Sequence, residues 1–287
     1  MEQFTSPLRY PGGKGRLTQF VADLIDENGL SGCEYVEPYA GGAGIAITLL
    51  YLEYASHIHL NDINKSVYAF WDAVLRNPED LCRLIRDTPL SMDEWYRQRS
   101  LQFDSAANSI ELGFSTFFLN RTNRSGIIKG GVIGGKSQLG DWKLDARYNA
   151  KELIARVQKI ASYSSRISLY NLDAAVLIRN VLPSLPKETL VYLDPPYYIK
   201  GKGLYEDHYS HDDHASIANI VQKELRLPWI VSYDNVEPIR NFYANKRQTT
   251  FGIWYTAGKK HAGKEVMVYS DELKIPAVIE PSRGIAA

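Results

Sequence analysis

Asp194 closes the apolar run Val191-Tyr192-Leu193 and is followed at once by Pro195, Pro196, Tyr197 and Tyr198. The run reads as a buried strand, and a strand cannot continue through two prolines, which lack backbone donors and fix φ. A carboxylate and two aromatic rings are therefore presented at a fixed strand end. In an α/β sheet the carboxyl ends of the strands are where ligands bind, and aromatic rings there suit a flat ligand. A strand that simply stops at a proline turn is the alternative for Asp-Pro-Pro alone; the two tyrosines count against it.

Other stretches put acids and glycines at comparable places. Glu34-Tyr35-Val36-Glu37-Pro38-Tyr39-Ala40-Gly41-Gly42-Ala43-Gly44 followed by an apolar segment reads as strand, Gly-rich turn and helix, the first unit of a Rossmann-like sheet. The next strand, His57 to Leu60, ends in Asn61-Asp62, with Asp62 twenty residues after Gly42. An acid there can bind both hydroxyls of a ribose, in a nicotinamide cofactor or in S-adenosylmethionine alike. Near the start, Tyr10-Pro11-Gly12-Gly13-Lys14-Gly15 precedes a helix-like run. Glycines let backbone amides approach a ligand and the helix adds its positive end, but the spacing is not that of a nucleotide-triphosphate loop. Asp173 follows a short strand; it is placed either to meet a ligand or to cap the next helix.

Between Arg121 and Arg166 ten Lys or Arg face three Asp or Glu, although the chain as a whole balances 33 against 33. Six glycines lie among them, from Gly126 to Gly140. A basic, Gly-rich segment suits phosphate contact and a flexible course along DNA, with Arg121, Asn123, Arg124, Lys129, Lys136 and Arg147 as candidates. A solvated helix face plus a charged loop would give the same count.

The elements that must position these residues follow from periodicity and breaks. Helices are expected over 17–28, 64–76, 80–86, 93–103, 109–119 and 149–162, and further strands over 166–170, 229–234, 248–254 and 264–270. Tyr96, Phe103, Phe114, Phe117 and Phe118 are expected in a core. At 287 residues, 45% hydrophobic and 23% charged, the composition is that of an ordinary soluble globular protein, and no apolar run is long enough to span a bilayer. No secretory signal is expected from Met1 to Ser6. Cys33 and Cys82 lie in unrelated contexts and the six His are scattered, so reduced thiols, no metal and a cytoplasmic location are expected.

Asp194-Pro195-Pro196-Tyr197, preceded in order by Pro-Gly-Gly-Lys, the Gly-rich turn, Asp62 and Asn120-Arg121, resembles the Dam-type DNA adenine N6-methyltransferases. The resemblance implies an α/β fold: a Rossmann-like seven-stranded sheet flanked by helices, with an inserted, mostly helical target-recognition domain. The division would be 1–68 and 149–287 for catalysis and 69–148 for the insert. It implies S-adenosylmethionine held by Tyr10, Lys14, Glu37, Pro38, Gly42, Asp62, Asp173 and Asp194, and double-stranded DNA as substrate. Asp194, Pro195, Pro196 and Tyr197 would carry the reaction on an extruded adenine, with Tyr197 stacked on the base and no metal. Lys129 to Trp142 departs from the hairpin of GATC-modifying members, so that target is not implied. A cytosine-N4 methyltransferase, a nicotinamide-dependent oxidoreductase and a catalytically silent DNA-binding module stay open, as do a companion restriction or defence system and a monomeric or weakly dimeric state.

Overall fold

A computed structural model describes residues 5–9, 17–199, 209–255 and 261–276. Its strands are β1 (Cys33–Glu37), β2 (Ala55–Asn61), β3 (Ile167–Tyr170), β4 (Leu190–Leu193), β5 (Trp229–Asp234), β6 (Arg247–Tyr255) and β7 (His261–Tyr269). They form one seven-stranded sheet in the order β3-β2-β1-β4-β5-β7-β6. β1 runs parallel to β2 and β4, and β4 parallel to β5; β7 is antiparallel to both β5 and β6. Strands β4 and β5 are buried along their whole length, which is why β4 reads as an unbroken apolar run and β5 as an apolar run interrupted by Ser232 and closed by Asp234 rather than as an alternating strand. Because the strand order turns back between β1 and β4, the connections leaving their carboxyl ends diverge and open a crevice there.

Backbone contacts divide the chain into two compact units, Met1–Gly13 with Asn64–Leu169, and Lys14–Ile63 with Tyr170–Ala287. The second holds most of the sheet with helices α1 (Thr18–Glu27), α2 (Gly44–Tyr51), α8 (Ala174–Asn180), α9 (His211–Lys223) and α10 (Glu237–Phe242). Its core joins Leu177 and Ile178 of α8, Ile217 and Val221 of α9, and the strand residues Val191, Leu193, Val231 and Val268. Each such side chain contributes roughly 1.5–3 kcal/mol by leaving water.

The first unit is helical: α3 (Lys65–Arg76), α4 (Pro78–Asp87), α5 (Met92–Leu101), α6 (Ser109–Thr122) and α7 (Ala150–Ala161). Local chemistry starts these helices where polar residues precede apolar stripes. Asn64 caps α3, Ser91 caps α5, Asn149 caps α7, and Asn108 with Glu111 makes a reciprocal capping box on α6. At Gly113 of α6, an added Cβ would collide with the carbonyl oxygen of Ala69 in α3, so only glycine permits that crossing. The Phe70 and Phe117 rings stack across it at 6.1 Å.

Two core expectations change here. Phe114, Phe117 and Phe118 are buried, but Tyr96 is 48% and Phe103 69% exposed. The buried face of α5 is Trp95 and Gln98, which turns Tyr96 outward, and Phe103 lies past the helix end. Backbone contacts group Asn64 to Leu169 into the helical unit. The reason is the apolar stripe Leu153, Val157 and Ile160 of α7, whose contacts lie on α3 and α4. Cys33 and Cys82 are both buried free thiols, and burial pushes Cys33 up to about 11.

Candidate active site

Three acids stand at the carboxyl ends of neighbouring parallel strands: Glu37 ends β1, Asp62 follows β2 and Asp194 follows β4. Glu37 is 5% exposed, and its Oε1 accepts from the Ala46 amide at 3.1 Å and the Tyr35 hydroxyl at 3.3 Å. Burial raises its carboxyl to about 8; the two hydrogen bonds oppose that rise and repulsion from Asp194 adds to it. Asp62, 9% exposed, accepts the Gly41 amide on Oδ2 at 2.9 Å, so the strand-tip acid also fixes the Gly-rich turn. In that turn Gly41 and Ala43 hold left-handed φ of 48° and 47°. Such a conformation in a residue with a Cβ is costly and gathers at ligand sites. The Pro38 carbonyl accepts from Asn61 Nδ2 at 2.8 Å, and Gly42 is half-buried between the two left-handed residues.

The Asp-Pro-Pro-Tyr turn is fastened to β5 and β7. Ser232 Oγ donates to Asp194 Oδ1 at 2.9 Å and lies 2.8 Å from the Tyr192 hydroxyl. An ionised carboxylate only accepts, so Ser232 spends its proton on Asp194 and Tyr192 must donate to Ser232. Asp234 accepts the Tyr198 and Ile199 amides at 2.9 and 3.0 Å. Tyr197 donates its hydroxyl to the fully buried Glu265 at 2.7 Å. Pro195 is buried and Pro196 half-buried.

Tyr197 is itself only 3% exposed, so its ring presents almost no face for a base to stack on; the half-buried ring is that of Tyr198. The cause is Glu265, an acid buried in β7 that draws the Tyr197 hydroxyl inward. Ser232 lies in the buried strand with a polar tip that the sequence from Trp229 to Asn235 displays; Glu265 does not stand out locally, although a polar residue inside an otherwise apolar buried strand was a usable signal for it. Asp173 is exposed and caps α8, with Oδ1 accepting from the Ala175 and Val176 amides. Tyr10 and Lys14 lie outside the described residues. The His214 ring sits 5.2 and 5.3 Å from the Tyr198 and Tyr209 rings, and burial lowers it to about 4, so it stays neutral.

In the helical unit the basic candidates separate into two kinds. Arg121 is 8% exposed, and its guanidinium donates through Nε to the Pro7 carbonyl at 2.7 Å, with a second donation from Nη2. Burial lowers it to about 9, and Arg156 and Arg9 add repulsion. Asn120 grips the Arg9 backbone from both sides at 2.7 Å. Asn123 is fully buried, accepting from Trp95 Nε1 at 2.7 Å and donating to the Ile127 and Ile128 carbonyls. Arg121 and Asn123 are thus spent inside the fold, contrary to the expectation that they contact DNA. Arg124, Lys129, Lys136 and Arg147 are exposed. The first three, with Arg99, Tyr96 and the glycines 130, 131 and 135, line a cleft of about 490 Å³. The segment expected to be flexible is tied down: Arg124 and Gly131, and Thr122 and Ile133, share backbone bonds of 2.9 Å.

Over residues 10–260 the sequence matches the family model of the D12 class N6 adenine-specific DNA methyltransferase. The chain belongs to that family. Solved structures similar to this methyltransferase include the rRNA methyltransferase aviRa from Streptomyces viridochromogenes, at 12% identity, 88% of this chain, 84% of that one and a TM-score of 0.36. Another is PH1948 from Pyrococcus horikoshii, provisionally described as an RNA methyltransferase, at 10% identity, 91% and 83% coverage and a TM-score of 0.41. Likenesses this weak carry no argument about substrate. Comparison with curated proteins gives no match.

Family membership implies S-adenosylmethionine as the methyl donor. The residues present suit it: buried acids at adjacent strand tips and a turn with the left-handed backbone that gathers at ligand sites. Among the described residues no group of three or more His, Cys, Asp or Glu could hold a metal ion, and no helix is long and apolar enough to cross a membrane.

Proposed function

We propose that this methyltransferase transfers a methyl group from S-adenosylmethionine to the N6 amino nitrogen of an adenine extruded from duplex DNA in the cytoplasm. The observation that carries the reading is the Asp194 carboxylate, placed at the end of β4 at the strand-order reversal and oriented by Ser232. An adenine amino group is a weak nucleophile because its lone pair is delocalised into the ring. Hydrogen bonds from it to Asp194 and to the Pro195 carbonyl favour a pyramidal nitrogen whose lone pair is free to attack. The bound donor supplies an electrophilic methyl on a positively charged sulfur. The chain contributes position and electrostatics. Asp62 binds the ribose, Glu37, Pro38 and Gly42 line the donor pocket, and Asp194 faces both substrates.

Arg124, Lys129, Lys136 and Arg147 contact DNA phosphates or base edges, and the charge of the helical unit supports this. Extrusion of the base costs a few kcal/mol. Since Tyr197 is turned inward, Tyr198 is the ring assigned to the base. The test is nucleoside mass spectrometry of DNA incubated with the purified chain and labelled donor. N6-methyladenine in the wild type and none with Asp194→Ala is the expected result. N4-methylcytosine would replace the reading with that of a cytosine enzyme, and near-normal turnover of Asp194→Ala would end the mechanism.

A further inference from the structure

The two most exposed large apolar side chains among the described residues are Leu139, at 84%, and Trp142, at 70%. They lie three residues apart on one turn-rich segment of the helical unit. That segment is built around Gln138, which holds a left-handed φ of 51° and turns its amide inward. Its Nε2 donates to the Ile133 and Gly135 carbonyls, both at 2.7 Å, and its Oε1 accepts the Leu144 amide at 2.9 Å. Lys143 Nζ donates to the Gln138 carbonyl at 2.6 Å, and the Gly140 amide closes onto the Gly134 carbonyl at 3.2 Å. Gly134 and Gly140 approach so nearly that a Cβ on Gly140 would stand 3.0 Å from Gly134 Cα. The polar side chain is thus consumed within the loop, while Leu139 and Trp142 are left outside it.

An apolar tip of this kind gains nothing in water. Its setting is cationic: from Arg124 to Arg147 the exposed charges are Arg124, Lys129, Lys136, Lys143 and Arg147 against Asp141 and Asp145. Cations flanking an aliphatic and an indole side chain match a duplex, which offers phosphates at its edge and stacked bases between them. Apolar wedges that enter a base step and unstack it are a recurrent device of DNA-bending proteins, and indole stacking on bases is favourable whatever the base.

We propose that the 133–144 loop is a wedge that inserts Trp142, backed by Leu139, into a base step of bound duplex DNA. This rests on the reading of the chain as a DNA methyltransferase. The test begins by sequencing modified adenines in DNA from expressing cells and building a short duplex around a site so mapped. Emission from Trp142, taken as wild type minus Trp142→Phe, should be quenched when that duplex is added. Leu139→Ala/Trp142→Ser should bind the duplex about tenfold more weakly. The slope of affinity against salt should stay the same, because the phosphate contacts belong to lysines and arginines. Trp142→Phe, which keeps a flat ring, should retain most of the affinity.

In duplexes carrying 2-aminopurine at each position in turn, the double variant should lose a fluorescence rise that the wild type gives at a step. Wild-type affinity and an unchanged 2-aminopurine profile in the double variant would overturn the wedge while leaving the methyltransferase reading intact. So would self-association of the wild type that the double variant abolishes with duplex affinity unaltered. If expressing cells carry no modified adenine, the underlying reading fails and the wedge falls with it. Both positions are solvent-exposed, so thermal melting of the variants should match the wild type.

Discussion

Replacing Ser232 by alanine tests the proposal that the Asp194 carboxylate acts in methyl transfer and is set by a buried hydroxyl chain. Ser232 is fully buried, Tyr192 is 3% exposed, and the bonds from Tyr192 to Ser232 and from Ser232 to Asp194 measure 2.8 and 2.9 Å. A hydrogen bond to a charged group is worth about 1.5–3 kcal/mol. Its loss should slow methyl transfer roughly 10- to 150-fold if it acts wholly on the transition state. The bond also favours the ionised form of Asp194.

The same substitution strands the Tyr192 hydroxyl in the interior, at a cost of about 1–3 kcal/mol of stability. Tyr192→Phe removes that stranded group, so the Ser232→Ala/Tyr192→Phe double variant should regain melting temperature while remaining slow. The assay is single-turnover transfer of a radiolabelled methyl group to duplex DNA, because product release can hide the chemical step. A folded Ser232→Ala protein that turns over at the wild-type rate would refute the reasoning.

Glu37 offers a stability test. Its carboxyl is raised from 4.5 to about 8 chiefly by burial, so the folded state keeps a proton that the unfolded chain releases, and stability falls as pH rises between those values. Glu37→Gln should flatten that decline, giving a variant that gains on the wild type from pH 5 to 8 by on the order of a few kcal/mol; parallel melting curves would count against it. Arg121→Ala should lower the melting temperature, losing about 2–3 kcal/mol with the bonds to Pro7. Arg124→Ala should leave melting unchanged and reduce the salt slope of duplex binding by about 1; the reverse pattern would show that the two arginines were misassigned. Asp62→Asn keeps an acceptor for the Gly41 amide but loses the charge, and calorimetry should find donor affinity down roughly tenfold. An unchanged value would remove its ribose role.

The amino-acid sequence alone determined the local facts. Two prolines end β4 whatever surrounds them, Asn64, Asn108 and Asn149 start helices by bonding amides three residues away or fewer, and the Gly-rich turn precedes an apolar helix. These depend on neighbours within a few residues, so spacing reveals them. Tertiary structure decided which groups meet. Val36 pairs with Val191, which brings the ends of β1 and β4 close enough for Glu37 to feel the charge of Asp194, and Tyr197 reaches Glu265 across 68 positions and turns inward as a result.

The basic stretch was visible as a count of charges, yet burial sorted it. Arg121 and Asn123 went to the Pro7 carbonyl and the Trp95 indole, while Arg124, Lys129 and Lys136 stayed in water. A guanidinium or amide has the same sequence whether its partner is a phosphate or a backbone carbonyl. Desolvation chooses between them, and desolvation is a property of the packed chain.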